Sequence, residues 1–260
     1  MTTYPFRLLK TGFHNGFYNM GLDEALLEAV AQGGSPPVLR LYGWDPAAVS
    51  VGYFQGLEEE VDLGACAAHE VDVVRRISGG GAVFHQAELT YSSIMPIGHP
   101  LAGEHILESY KRLCTGIIQA LALMGVPAEF APINDILAGG KKISGNAQTR
   151  RMGCVLQHGT VLLDLDVGLM FELLRVPAEK VKDKQIRDVQ ERVTSLNALL
   201  GRVVSYGEVE AALAEGFCRA LSLDYIEGQD GILPEEARAL ELAAGKFAAP
   251  AWLHKSPAGR

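Results

Sequence analysis

Two arginines and a serine stand directly before three consecutive glycines in "RRISGGGAVFH", residues 75–85. Arg75 and Arg76 carry permanent charge on a planar fork that matches phosphate or carboxylate oxygens. Ser78 can donate a further hydrogen bond, while Gly79, Gly80 and Gly81 let the main chain turn so that its amides become reachable by a ligand. The chemistry this points to is the binding of a small anion. The simpler alternative is a glycine turn that ends a strand, with both arginines in solvent. No GK[ST] follows, so this is not a Walker loop, and "AVFHQ" reads as strand, which excludes a strand-to-helix dinucleotide fingerprint.

A second cluster, "NDILAGGKKISGNAQ", covers residues 134–148. Gly139 and Gly140 suit a two-residue hairpin turn, which folds the strand bearing Asn134 and Asp135 back beside the strand bearing Lys141 and Lys142. An acid and an amide near a lysine could hold magnesium and a phosphate, because magnesium needs few protein ligands when phosphate oxygens complete its shell. Lys142 is the better candidate of the pair, since the "ISG" after it continues a packed strand. The alternative is a surface hairpin with solvated lysines. The third cluster, "TRRMGCVLQHGTVLLDLD" (149–166), ends in an alternating strand that holds Gln157, His158 and Gly159. His158 reads as a hydrogen-bonded structural residue or a base. Cys154 could be a nucleophile, but nothing in its neighbourhood lowers a thiol pKa.

These clusters need a scaffold, and the chain of 260 residues with 48% hydrophobic content is long enough to bury one large core. Strand-like runs dominate before about residue 190: 37–44, 48–55, 71–78, 89–97, 134–138, 141–148 and 154–164. They predict a mixed, largely antiparallel sheet. Helical spacing places Met20, Leu22, Leu26, Ala29 and Val30 on one face of a helix over 19–31, with Asp23 and Glu24 in its first turn. A second helix begins near Ile106 and stops at Gly125 and Pro127; Cys114 lies on its buried stripe. In the tail, Ser205 and Glu208 stand at capping-box spacing, and Pro234 opens a further helix. Strands followed by helices predict an α+β fold, with a catalytic domain over 1–190 and a small helical segment over 191–260 packed on it.

Net charge is −8, which argues against nucleic acid as the main partner. The four cysteines, Cys66, Cys114, Cys154 and Cys218, are far apart, so neither a disulfide framework nor a zinc knuckle is expected. The longest apolar runs are too short to cross a bilayer and the start lacks the apolar core of a signal peptide, so a cytoplasmic protein is expected.

Together, "RRISGGGAVFH", "NDILAGGKKISGNAQ" and "QHGTVLLDLD" resemble the lipoate-protein ligase and octanoyltransferase family, which shares its fold with biotin-protein ligases. The resemblance runs in order from "NMGLDEALL" through "RVPAEK" and "ERVTSLNALLG" to "FAAPAW", nearly the whole chain, and is strongest to the short ligases. It implies that the segment Arg75 to His85, Val83 included, lines a tunnel for a fatty chain and an adenylate. It also implies that Lys142 reaches the acyl carbonyl and phosphate oxygens, and that Asn134 and Asp135 lie near nucleotide and magnesium. Ser144, Gly145, Ala147, His158 and Gly159 complete the implied binding surface.

The activity implied is ATP- and Mg2+-dependent activation of lipoic acid, and of octanoic acid, to an acyl adenylate. Transfer then follows to a lysine of a lipoyl-accepting protein, either a lipoyl domain or a glycine-cleavage H-like protein. Octanoyltransferases of the family hold the acyl group on a cysteine, in one branch where this chain has Pro177 and Ala178, in another just before the lysine hairpin, where "GVPAEFAPIND" has none. Absence of those cysteines favours the ligase. The alternatives are a transferase working through Cys154 with Lys142, and a relative that binds without turnover. "YGWDPAAVSVGYFQ" and "HQAELTYS", with Gln86 where the family commonly has Asp, resemble the transferase branch. The chain also ends soon after "FAAPAW", and the resemblance to short relatives implies that a separate small accessory protein can supply the part that longer ligases carry. The stretch "KVKDKQIRDVQER" (180–192) reads as a solvated helix and loop, the alternative being a segment that orders around ligand or docks an acidic acceptor.

Overall fold

The computed structural model describes residues 2–175, 191–226 and 233–255. Its strands are β1 (Tyr4–His14), β2 (Val38–Trp44), β3 (Ala48–Val51), β4 (Asp72–Arg75), β5 (Val83–His85), β6 (Glu88–Pro96), β7 (Ala128–Ala131), β8 (Asp135–Ala138), β9 (Lys141–Arg151), β10 (Cys154–Leu162) and β11 (Leu223–Ile226). Eight of them form one sheet in the order β11-β1-β2-β6-β10-β9-β8-β7, and β4-β3-β5 form a second. β1 runs parallel to both its neighbours, while the other pairs of the large sheet are antiparallel. The fold is α+β with a mixed, largely antiparallel sheet, as the strand-rich first part of the sequence predicts.

Side chains alternate across the sheet with period two. Leu39 and Leu41 of β2 join the core beneath the helices Ile106–Leu123 and Tyr206–Leu221, whereas Val38 and Tyr42 face the helix Gly16–Ala31. The two helices of the first core cross at glycines. A Cβ on Gly216 would lie 2.6 Å from the Gly116 carbonyl oxygen, and one on Gly116 would lie 2.6 Å from the Phe217 ring, so backbones touch where no side chain fits.

The first helix differs from its sequence reading. It starts at Gly16, capped by Asn15, whose side chain accepts from the Tyr18 amide, so Asp23 and Glu24 fall in its middle rather than its first turn. Both acids are buried. The helix is enclosed on most sides, with the sheets on one side and the helix Glu236–Leu242 on another. Its acids are retained because each meets a cation: Asp23 meets Arg40 at 2.7 Å and Glu24 meets Lys246 at 2.6 Å.

The tail contains the expected helices, and the Ser205 hydroxyl accepts from the Glu208 amide. It also contributes β11, an edge strand of four residues beside β1 that helical spacing conceals. Most of the "KVKDKQIRDVQER" stretch, and both Pro177 and Ala178, lie outside the described residues. Among the described residues no helix is long and apolar enough to cross a membrane.

Candidate active site

Where the small sheet meets β9 and β10, a cavity of about 310 Å³ opens. Met20, Tyr42, Trp44, Leu162, Met170 and Leu174 give it an apolar wall, while Ser50, Arg76, His85, Lys142, Ser144 and His158 bring polar groups to it. Of the residues singled out in the sequence, Arg76, Gly80, Gly81, Val83, His85, Asn134, Lys142, Ser144, Gly145, Ala147, His158 and Gly159 line it; Arg75, Ser78, Gly79 and Asp135 do not.

The two adjacent arginines separate because successive strand residues point to opposite faces. Arg75 turns away from the cavity and donates to the carbonyls of Gly52 (2.9 Å), Gln55 (2.7 Å) and Leu253 (2.8 Å), binding the loop after β3 to the C-terminal segment. It is a structural staple, which corrects its assignment to anion binding. Arg76 points into the cavity wall and is 4% exposed. Its guanidinium donates to the carbonyls of Ser50 (3.0 Å), Gly79 (2.8 Å) and Gly81 (2.7 Å) and to Ser50 Oγ (3.1 Å). The glycine loop thus offers two of its carbonyls to the arginine. Among the described residues no carboxylate pairs with Arg76. Burial lowers its pKa to about 10, which still leaves it cationic at neutral pH. An unneutralised buried guanidinium on a cavity wall attracts negative charge in whatever enters.

On the opposite side, β9 carries a bulge: Ile136 pairs with Ser144 and Leu137 with Lys142, which leaves Ile143 as the extra residue. Lys142 Nζ reaches Asp135 Oδ1 at 2.7 Å. The ammonium crosses Gly145, where a Cβ would lie 3.0 Å from Nζ, so the missing side chain makes room for the pair. One carboxylate leaves two of the three ammonium donors for a ligand. Asn134 and Asn146 clamp β8 to β9, the amide of each donating to the other's carbonyl.

Two histidines complete the polar part. His85 Nδ1 is 2.7 Å from Glu88 Oε1 and its Nε2 is 2.8 Å from Ser50 Oγ, with the ring stacked on Trp44 at 4.0 Å. His158 Nε2 is 2.6 Å from Ser78 Oγ, and its Nδ1 is 3.6 Å from Asp23 Oδ2. Burial, the dominant influence, lowers the His158 pKa against the pull of Asp23 and keeps the ring neutral. Burial also opposes ionisation of Asp23, yet Arg40, His158 and Ser92 together outweigh it and hold that carboxyl below its usual range. Ser50 and Glu88 are missed by motif reading because neither belongs to a recognisable spacing, and Asp23 is read there only as a first-turn helix acid. The signal that points to Asp23 is Arg40 inside the strand "VLRLYGW", since a buried arginine demands an acid.

None of the four thiols reaches the cavity lining. Cys154 belongs to the core cluster that also holds Tyr18, Ile94 and Leu156, about 13 Å along β10 from His158 at the usual rise of a strand. Burial raises its pKa, and pushes Cys114 to about 12 and Cys66 to about 11. Cys154 is thus a core residue, which removes it as partner to Lys142.

A model of the lipoyl protein ligase A/B catalytic domain matches residues 15–218, a span that holds every element of this cavity. The chain belongs to the lipoyl protein ligase A/B catalytic domain family. Among its relatives in this family, octanoyltransferase LipM of Kyrpidia tusciae is 38% identical over 96% of this chain and 98% of its own length. Octanoyltransferase LipM of Bacillus subtilis is 34% identical over 98% of this chain and 100% of its own. A structure of the archaeal lipoylation system of Thermoplasma acidophilum, a bi-partite lipoate protein ligase and its E2 lipoyl domain, matches with a TM-score of 0.83 and 30% identity, covering 98% of this chain and 97% of that one.

Within the lipoyl protein ligase A/B family, then, this chain is similar over its whole length to octanoyltransferases. That finding overturns the expectation of an ATP-dependent lipoate-protein ligase working through an acyl adenylate. The two residues named for magnesium already have partners of their own. Asn134 directs its amide N–H at a carbonyl, and Asp135 is a single carboxylate paired with an ammonium. Among the described residues no group of three His, Cys, Asp or Glu could hold a metal.

Proposed function

We propose that this chain is an octanoyltransferase that moves a medium-chain acyl group from a thioester donor, an acyl carrier protein, to a lysine of a lipoyl-accepting domain. The observation that carries this reading is the cavity that joins an apolar wall to Arg76, a buried cation with no carboxylate partner among the described residues. Each methylene taken from water contributes about 0.8 kcal/mol, so the apolar wall selects a fatty chain. The polar groups meet its carbonyl. A thioester carbonyl attacked by a nucleophile gathers negative charge on oxygen, and fixed positive groups stabilise that charge without reorganising. Arg76 supplies charge, and Lys142 supplies charge with ammonium donors that no other described residue takes. His158 and the Ser78 hydroxyl fix the wall beside them.

Because the donor is already activated as a thioester, the reaction needs neither ATP nor magnesium. Acceptor lysine, acyl carbon and oxyanion site have only to be held together, and positioning of this kind is worth several kcal/mol. The names of the relatives and the archaeal complex with an E2 lipoyl domain support this choice of acyl group and acceptor. The test is incubation of the purified chain with octanoyl-acyl carrier protein and a lipoyl domain, read by intact-mass spectrometry of the acceptor. One added octanoyl group is expected. An unmodified acceptor would refute the reading.

A further inference from the structure

Acyl transfer in a cavity without a thiol raises the question of what first receives the acyl group. Two acid–histidine–serine chains approach the site, and only one of them has its serine on the cavity lining. Ser78, the serine beside His158, does not line it, whereas Ser50 and His85 both do. We propose that Ser50 is a nucleophile that carries the acyl group as an ester, with His85 as its general base and Glu88 as the residue that orients His85; this rests on the acyl-transfer reading above.

The hydrogen-bond directions can be assigned from the ends inward. Trp44 Nε1 can only donate, so Thr90 Oγ1, 2.8 Å away, accepts from it. The Thr90 proton then goes to Glu88 Oε1 at 2.7 Å. His85 Nδ1, 2.7 Å from the same oxygen, is placed to donate to it, which leaves Nε2 with its lone pair facing Ser50 Oγ at 2.8 Å. Arg76 donates to Ser50 Oγ at 3.1 Å, so the serine proton has the imidazole as its acceptor. A hydroxyl that donates to an imidazole lone pair and accepts from a guanidinium is prepared to lose its proton.

The backbone dictates this meeting. In the antiparallel pair of β3 and β5, Ala48 lies opposite His85, so Ser50, two residues on, is the diagonal neighbour of His85 on the same face. The Trp44 ring, 15° from the imidazole plane, holds that plane. Glu88 Oε2 is buried with no hydrogen-bond partner among the described residues, so the polar contacts of this carboxyl run through Oε1 to His85 and Thr90.

The step balances as follows. Ser50 Oγ attacks the thioester carbonyl carbon and its proton passes to His85 Nε2. The C–S bond then breaks, the sulfur takes that proton and leaves as a free thiol, and an octanoyl ester remains on Ser50. The lysine amine of the acceptor attacks the ester, an amide bond forms, the C–Oγ bond breaks, and the amine's proton returns through His85 to Ser50.

The experiment is to mix the full chain with octanoyl-pantetheine without acceptor, quench in acid, and map the octanoyl group by peptide mass spectrometry. One octanoyl on Ser50 is expected in the wild type and none in Ser50→Ala, whose transfer to a lipoyl domain should fall by about 100-fold or more. Ser50→Cys should regain a covalent adduct, now cleaved by neutral hydroxylamine. Glu88→Gln should displace the acid limb of the acylation rate profile, a change that a packing role would not cause. Wild type that transfers octanoyl with no ester at Ser50, or a folded Ser50→Ala that transfers at the wild-type rate, overturns this proposal and leaves the acyltransferase reading standing. Wild type that transfers nothing from any thioester overturns both.

Discussion

Lys142 Nζ lies 2.7 Å from Asp135 Oδ1, and the pair crosses Gly145, the residue opposite Asp135 in the β8–β9 ladder. The ammonium is therefore placed by three features at once: a bulge, a glycine and a carboxylate. Lys142→Ala should lower octanoyl transfer by about 100-fold, comparable with the loss of one oxyanion donor, near 3 kcal/mol of activation energy. Its melting temperature should barely change, because partly exposed ion pairs contribute only about 0–1 kcal/mol. Steady-state kinetics and thermal unfolding on the same preparation check both halves.

Gly145→Ala tests placement without removing charge. The new Cβ would lie 2.9 Å from Lys142 Cε, the flexible end of a side chain, so the lysine shifts and the backbone stays. Transfer should drop while the folded state persists. Gly159→Ala is the contrast: its Cβ would meet the Gly145 carbonyl oxygen at 2.8 Å, and this variant should lose stability in urea unfolding.

The adjacent arginines should differ in kind. Arg75→Ala strands carbonyls of the loop after β3 and of Leu253, and at about 1–3 kcal/mol per orphaned group it should appear mainly as lost stability. Arg76→Met removes the buried one of the two cavity cations and should abolish transfer whether or not stability changes. Chemical denaturation alongside transfer assays separates the two.

Asp23 and His158 set an acid limit. The His158 imidazole titrates below its ordinary value of 6.5 in the folded protein, so the unfolded chain binds its proton first. Its contribution to stability is full above 6.5 and is lost as pH falls below that value. His158→Gln should flatten the fall of stability between neutral pH and about 5, measured by urea unfolding across that range. Asp23→Ala should cost about 3–5 kcal/mol, since it leaves Arg40 charged and buried without its acid.

Much of this site is legible in the sequence, because local chemistry controls it. The hairpin at Gly139 and Gly140, both at positive φ, the strand that carries His158, and Lys142 ahead of a continuing strand follow from short-range patterns. What escapes is contact between distant elements. Ser50, His85 and Glu88 converge only after β3, β5 and β6 take their places, and no spacing announces them. Asp23 misleads because acids in a helix usually mark its exposed first turn, and only the start at Gly16 moves it into the core. Arg75 misleads for a related reason: the pattern identifies two cations but not which face each takes. Activity is harder still, since the same fold serves ligases and transferases, and absence of a cysteine at expected positions pointed away from the octanoyltransferases that the chain resembles over its length.

The most direct measurement offers nucleotide-free enzyme two donors in parallel, octanoyl-acyl carrier protein alone and free octanoate with ATP and magnesium, and weighs the lipoyl domain after each. Transfer from the thioester alone, lost in Arg76→Met, is the predicted result. Modification only in the reaction that contains octanoate and ATP would contradict it.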